Sequence, residues 1–295
     1  MKITLPSFAK INLILRVTGK RQDGYHTLET LFQSISLFDD LTFEFSESPE
    51  LVINLDLGTS DIPADQTNLI DRACRAFLKA YPFKVKIDIS VVKRIPAAAG
   101  LGGGSSNAGA TLVAMSRFFG WPLPLQKLYE IASELGADVP FFLCGGTALG
   151  LGKGDIIGPI DDVEPMPALL FCPKISCSTA EIYRKFDDAG LLTGRPNSIK
   201  IPSDQRPEFR RGFVSLIEND LERVVFALYP ELDSIKKRLV ALGAAAASLT
   251  GSGSAVFGLF ENQVDRDRAA LQFAGSIRTR FVGRKEYQSR LGISS

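Results

Sequence analysis

Between Pro96 and Leu112 the chain reads PAAAGLGGGSSNAGATL. Four glycines, Gly100, Gly102, Gly103 and Gly104, lead through Ser105 and Ser106 into a helical pattern. The first amides of a helix lack intrahelical acceptors and point outward, and the helix dipole adds partial positive charge. Glycine removes the Cβ that would hold an anion off the backbone. Loop, serines and helix start together suit a polyphosphate. The serine hydroxyls can donate to phosphate or ligate Mg2+. No lysine follows the glycines, so this is not a Walker loop, and no acidic residue ends a following strand where a dinucleotide fold needs one. The competing reading is a plain flexible turn.

Other residues offer charge. Asp138 stands in GADVPFFL, after a glycine and before Pro140. It is either the N-cap of a following helix or a catalytic carboxylate at an element end. Lys10 shares a strand face with Asn12 and is either a solvated lysine or part of a site. Tyr25 and the single histidine, His26, follow the turn signal Asp23-Gly24. They can stack on and hydrogen-bond a base, or form a half-buried aromatic pair. A Ser-His-Asp triad would have to use His26, and no GxSxG elbow is present, which sets acyl transfer aside. A second Gly/Ser run, Gly251-Ser252-Gly253-Ser254 in LTGSGSAVFGLF, reads alone as a hairpin turn. Two such turns raise the prospect that they face each other across a cleft.

Composition narrows the classes. The 295 residues carry 34 Lys+Arg and 33 Asp+Glu, so no global charge recruits nucleic acid or an anionic membrane, and neither is expected as a partner. Cys74, Cys144, Cys172 and Cys177 form no CxxC pair, and with a single histidine this argues against a Cys/His zinc site. Scattered thiols fit a reducing compartment. The opening MKITLPSFAKINLIL lacks a signal peptide's apolar core and is too short to span a bilayer, so a cytoplasmic location is expected.

Alternation predicts the strands that would position these groups. In KINLILRV, Ile11, Leu13, Leu15 and Val17 share one face. LTFEF, LVINLDL and KVKIDISVV repeat the pattern. Helical spacing follows Thr67, a plausible N-cap, and covers about 105–119 and 124–135, the last stopping at Gly136. A Gly-rich stretch from Gly145 turns acidic by Asp162 and suggests a division into residues 1–158 and 159–295. Beyond it PALLFCP reads as a strand and STAEIYRKFDDAG as a helix. The segment FVSLIENDLERVVFALYPELDSIKKRLVAL reads as two helices broken near Pro230. AAAASLTGSGSAVFGLF reads as strand, turn, strand, and RDRAALQFAGSIRT as a closing helix. The mixture is α+β.

The strings PSFAKINLILRVTGKRQDGYHTLET, PAAAGLGGGSSNAGATL, GADVPFFLCGGTALGLGKGD, ENDLE and LTGSGSAVFGLF, in this order over nearly the whole chain, resemble the GHMP kinases. The resemblance implies two α+β domains, a ribosomal-S5-like ATP-binding one (1–158) and a ferredoxin-like one (159–295), with a cleft between. It implies ATP on Pro96, Ala97, Ala98, Ala99, Gly100, Leu101, Gly102, Gly103, Gly104, Ser105 and Ser106, with Mg2+ held with ATP, through Ser105 or Ser106. The AKINL and GKRQDGYH strings look like those of family members acting on a cytidine diphosphate that carries a methylerythritol, whose 2-hydroxyl attacks the γ-phosphate. By motif position Asp138 carries over as catalytic carboxylate and Lys10 as its cationic partner. Asn12 would hold the polyol, Tyr25 would stack on cytosine, His26 would pair with its edge, and Tyr183 would be a second aromatic. Gly109 replaces a more usual alanine and Lys153 a more familiar arginine, neither with evident consequence in the sequence.

Two other functions are compatible with parts of this pattern. One is a GHMP kinase for another small alcohol, such as mevalonate or homoserine, which Tyr25-His26 argues against. The other is a silent nucleotide-binding regulator, which the joint presence of Lys10 and Asp138 argues against.

Overall fold

The computed structural model describes residues 1–58, 62–192 and 212–293. β1 (Lys2–Lys20) and β2 (His26–Ser46) form one long antiparallel pair, from Lys2↔Glu44 to Lys20↔His26. Alternation alone does not describe β1. Register shifts at Phe8/Lys10 and Asn12/Ile14 interrupt the alternation, and Leu13 and Ile14 are both buried.

β3 (Val52–Asp56), α1 (Leu69–Ala80) and β4 (Lys86–Val92) follow. The α1 cap is Asn68, whose side chain accepts from Ile70 N, one residue beyond the expected Thr67. Thr67 instead bonds Asp65, whose turn leads the chain into the helix. Next come α2 (Gly103–Phe118), α3 (Leu125–Leu135), the single turn α4 (Phe141–Cys144), β5 (Thr147–Leu151) and β6 (Ile156–Pro159). The first sheet runs β3-β4-β2-β1, with β5 on the other half of β2 and β6 on β5. The Gly-rich stretch is thus a hairpin of this sheet, and residues 158 and 159 both lie in β6.

β7 (Pro167–Phe171) and α5 (Thr179–Asp188) open the second half. Where the sequence suggests the first of two helices, the chain forms a 3-10 turn over Phe213–Leu216, then β8 (Glu218–Asn219) parallel to β1, and only then α6 (Glu222–Leu228). Asn219 is the reason. Its Oδ1 accepts from Leu221 N and its amide donates to Leu249 O and Gly251 O, a clasp incompatible with a continuous helix. α7 (Pro230–Ala241), β9 (Ala246–Leu249), β10 (Val256–Leu259) and α8 (Gln263–Leu271) follow. The expected closing helix is followed by β11 (Ile277–Arg280) and α9 (Arg284–Leu291). The second sheet, β11-β7-β10-β9, is antiparallel and has the β-α-β-β-α-β order of a ferredoxin-like unit.

Among the described residues three large apolar cores, and a smaller cluster of Phe32, Phe141, Phe142, Cys144 and Ala148, hold this together. One lies between the first sheet and α1–α3 and includes Tyr287 and Leu291 of α9. The second lies under α5–α8 on the other sheet. The third joins the sheets, with Ile11, Leu13, Ile14 and Leu31 against Leu170, Phe257 and Phe281. β1 feeds all three large cores, which is why every residue from Leu5 to Leu15 is buried, whichever side it faces. No described helix is long and apolar enough to cross a membrane.

Candidate active site

The glycine loop stands between two pockets. On one side a cavity of about 460 Å³ is lined by Pro96 through Ser105, Lys93, Asn68 and Asn107. On the other a cleft of about 860 Å³ is lined by Lys10, Asn12, Tyr25, His26, Asp138 and Tyr183 among others. Gly100 and Gly102 line both.

α2 begins after Gly102, whose φ is +70°, so the amides of the first turn open on the smaller pocket. The two serines separate. Ser106 is buried, accepts from Ser7 Oγ at 2.6 Å and donates to Phe8 O at 2.6 Å. Its hydroxyl belongs to the scaffold. Ser105 lines the pocket. Behind the loop, buried Asp39 accepts from Lys93 Nζ, Arg94 N and Ile95 N, fixing the chain that enters the loop.

The second Gly/Ser loop does meet the first. Ala255 N donates to Ala99 O at 3.0 Å, and Thr250 Oγ1 lies 3.2 Å from Gly100 O. A Cβ on Gly100, at φ +78°, would fall 2.2 Å from Thr250 O, so this contact requires glycine. Gly109 has a similar cause. A Cβ there would sit 2.6 Å from Phe142 Cβ, so the glycine lets α4 lie against α2. The roughly 1 kcal/mol helix penalty of glycine is smaller than the roughly 1–3 kcal/mol of overpacking it avoids.

Lys10 is not a solvated lysine. It is 3% exposed, with Nζ 2.7 Å from Asn12 Oδ1, 3.3 Å from Asp138 Oδ2 and 5.5 Å from the centre of the Phe32 ring. Such a buried ammonium needs partners, since desolvation is costly. Nor does Asp138 cap a helix: α4 has Pro140 at its N-cap and no side-chain cap. Its carboxylate, about one-third exposed, points along the cleft with Lys10 behind it. Asn12 is buried and mostly committed: Nδ2 donates to Thr30 Oγ1 at 2.7 Å, and Oδ1 takes Lys10 Nζ and faces Thr250 Oγ1 at 3.2 Å.

Tyr25 and His26 part company. Tyr25 is 61% exposed with Lys153 Nζ 5.1 Å over its ring, a contact that gives Lys153 a place in the site. His26 turns inward as the first residue of β2 and lies on Tyr183, ring centres 4.8 Å apart at 26°. Tyr183 is so enclosed that burial pushes its phenol up. Three residues that the sequence reading passed over complete the arrangement. They are Asp187, which holds His26 and Lys20; Thr250, which ties the loops; and Asn219, which props the second loop. The ENDLE string was the available signal for Asn219, and the DD pair ending α5 for Asp187. A buried hydroxyl such as Thr250 has none.

Chemically, the site offers outward amides on one side of a thin glycine wall, and a lysine–aspartate pair with an aromatic end on the other. That can hold an anion and aim a hydroxyl at it. Among the described residues no cluster of three His, Cys, Asp or Glu could hold a metal ion.

Comparisons with known proteins agree with this architecture. Models of the GHMP kinases N terminal domain and the GHMP kinases C terminal domain match residues 68–146 and 205–277. A 4-diphosphocytidyl-2-C-methyl-D-erythritol kinase of Solibacter usitatus is 42% identical over 97% of this chain and 90% of its own. One from Prosthecochloris aestuarii is 40% identical over 95% and 96%. A crystal structure of 4-(cytidine 5'-diphospho)-2C-methyl-D-erythritol kinase superposes with a TM-score of 0.77 at 35% identity, covering 96% of this chain and all of that one.

Proposed function

The chain belongs to the GHMP kinases and, within them, to the 4-diphosphocytidyl-2-C-methyl-D-erythritol kinases, and from that premise we propose how its two pockets divide the reaction. It is a small-molecule kinase that uses ATP to phosphorylate the cytidyl-linked methylerythritol in isoprenoid biosynthesis. The single observation that carries the division is that Gly100 and Gly102 line both pockets.

The loop from Pro96 to Ser105 takes the triphosphate on its amides, as helix starts take anions. Ser106 serves as its anchor. A magnesium ion accompanying the nucleotide would be held mainly by phosphate oxygens, and Ser105, whose hydroxyl lines this pocket, is the residue that would add a ligand to it. When bound, that ion offsets charge on the phosphate oxygens. Asp138 receives the acceptor's 2-hydroxyl, orients it and takes its proton. Lys10, held by Asn12, supplies positive charge where the transferring group gathers negative charge. Phosphoryl transfer needs little covalent help, so these placements are the catalysis. Tyr25 and Tyr183 hold the cytosine and His26 meets its edge. Asn12 positions the polyol from beneath, chiefly through Lys10. Lys20, Lys153 and Arg184 line the same cleft and face the substrate's diphosphate. Residues 1–158 carry the whole nucleotide pocket, and residues 159–295 complete the acceptor cleft: Lys10, Tyr25, His26 and Asp138 come from the first, Tyr183 and Asp187 from the second.

The test is incubation with ATP, Mg2+ and the cytidyl alcohol, followed by mass analysis. One phosphoryl group on the alcohol per ADP is expected, with mevalonate and homoserine left unmodified. ADP formed without a phosphorylated cytidyl product contradicts the reading.

A further inference from the structure

Asp187 has no part in the reaction just described, yet it organises the end of the cleft. Its Oδ1 lies 2.7 Å from His26 Nε2, and its Oδ2 lies 2.6 Å from Lys20 Nζ. His26 is 8% exposed and its ring lies on Tyr183. All four residues line the acceptor cleft. Burial works against charge on Asp187, but hydrogen bonds from Lys20 and His26 outweigh it and hold the carboxyl below its ordinary value. An ionised carboxylate can only accept. The hydrogen between the two groups therefore sits on Nε2, and whenever the ring is neutral Nδ1 is the bare acceptor.

Tyr183 makes that acceptor useful. The imidazole is tilted only 26° from the Tyr183 ring, so a base laid beside His26 on the same aromatic floor would lie near the imidazole plane, as an in-plane hydrogen bond requires. Cytosine donates from its 4-amino group where a uracil-type base presents a 4-carbonyl acceptor. Two acceptors facing each other in an enclosed site leave both unpaired, a strong means of discrimination.

We propose that Asp187 is a specificity-determining positioning residue: it holds His26 in the Nε2–H tautomer, so that Nδ1 accepts from the 4-amino group of cytosine and rejects uracil. This rests on the assignment of His26 to the base edge, and it adds the group that sets which hydrogen bond His26 can make.

The chain has one histidine, so 15N-histidine labelling gives a single imidazole. Long-range 1H–15N correlation of the wild type should show Nε2–H. In Asp187→Asn the side-chain amide can donate to Nε2, and Nδ1–H should become the major form. Steady-state kinetics with cytidine- and uridine-diphosphate-linked substrates should show a wild-type preference for cytidine of about 100-fold or more in kcat/KM. In Asp187→Asn that preference should fall at least about tenfold, mainly through KM for the cytidyl substrate, with KM for ATP moving less than about twofold. Asp187→Glu should restore most of the preference, which a merely structural role does not predict. A wild-type Nδ1–H tautomer overturns the proposal without any variant, whatever the folding of Asp187→Asn. So does a cytidine preference that survives a switched tautomer. A wild type indifferent to the base instead overturns the assignment of His26 to the base edge.

Discussion

The two sides of the glycine wall are built from different materials. The nucleotide side is mainly backbone: Pro96 to Ser105 present amides and small side chains, and what holds them, Asp39 and Ser106, lies buried behind. The acceptor side is made of side chains from far apart in sequence, Lys10, Tyr25, Asp138 and Asp187, each fixed by a partner from another element. A backbone cradle reads phosphate, which is common to every ATP. On the proposed assignment, a side-chain cleft reads one acceptor and carries the chemistry. Sequence changes on the two sides should therefore have separable kinetic effects.

The strongest way to sharpen that contrast is Asp138→Ala, which should lower kcat by roughly two to four orders of magnitude, the scale of a lost acid–base group. Lys10→Met should lower kcat about 100- to 1,000-fold, as for a removed charge-stabilising group. A single-turnover assay with saturating ATP reads both. Tyr25→Ala acts at the mouth of the cleft. Losing a base-stacking contact of about 1–3 kcal/mol should raise KM for the cytidyl substrate roughly 5- to 150-fold and spare KM for ATP. The smallest effects lie across the wall. Ser105→Ala should raise KM for ATP about fivefold, the worth of one hydrogen bond of about 1 kcal/mol. Ser106→Ala should leave that KM near wild type but cost about 1–3 kcal/mol of stability, because Ser7 and Phe8 O lose a buried partner. Denaturant unfolding measures the second. An equal KM effect from both serines would break the assignment of one to ligand and one to scaffold.

This contrast also explains what could be read in the sequence. The glycine loop was legible because a backbone site needs a contiguous run of small residues ahead of a helix. The strands holding Phe43 and Ile89 were legible because one side of each faces a core. Around Lys10 the same rule misleads. Bulges break the alternation, and β1 is buried on both sides, so a strand lysine next to polar Asn12 reads as solvated when it is enclosed. Lys10 and Asp138 each stand out as charged candidates with a plain alternative, and only the family resemblance gives them a joint role, since 128 positions separate them and no local pattern pairs them. The DD pair and the ENDLE string mark Asp187 and Asn219 and nothing marks Thr250, but what each holds is not legible, because their partners lie 161, 32 and 238 positions away. The last strand and α9 were missed for a related reason. Ile277–Arg280 alternates with charged residues and α9 has a polar sequence, so neither shows an apolar stripe, though Tyr287 and Leu291 anchor the helix in the first core.

The proposed division sets nucleotide holding and hydroxyl activation on opposite sides of one glycine wall, and a single preparation of Asp138→Ala tests it most directly. Equilibrium titration with ATP and single-turnover transfer to the cytidyl alcohol are measured on the same sample. The expected result is an ATP Kd within about twofold of wild type together with a transfer rate at least about 100-fold slower. A Kd that weakens in proportion to the rate, or a rate close to wild type, contradicts it.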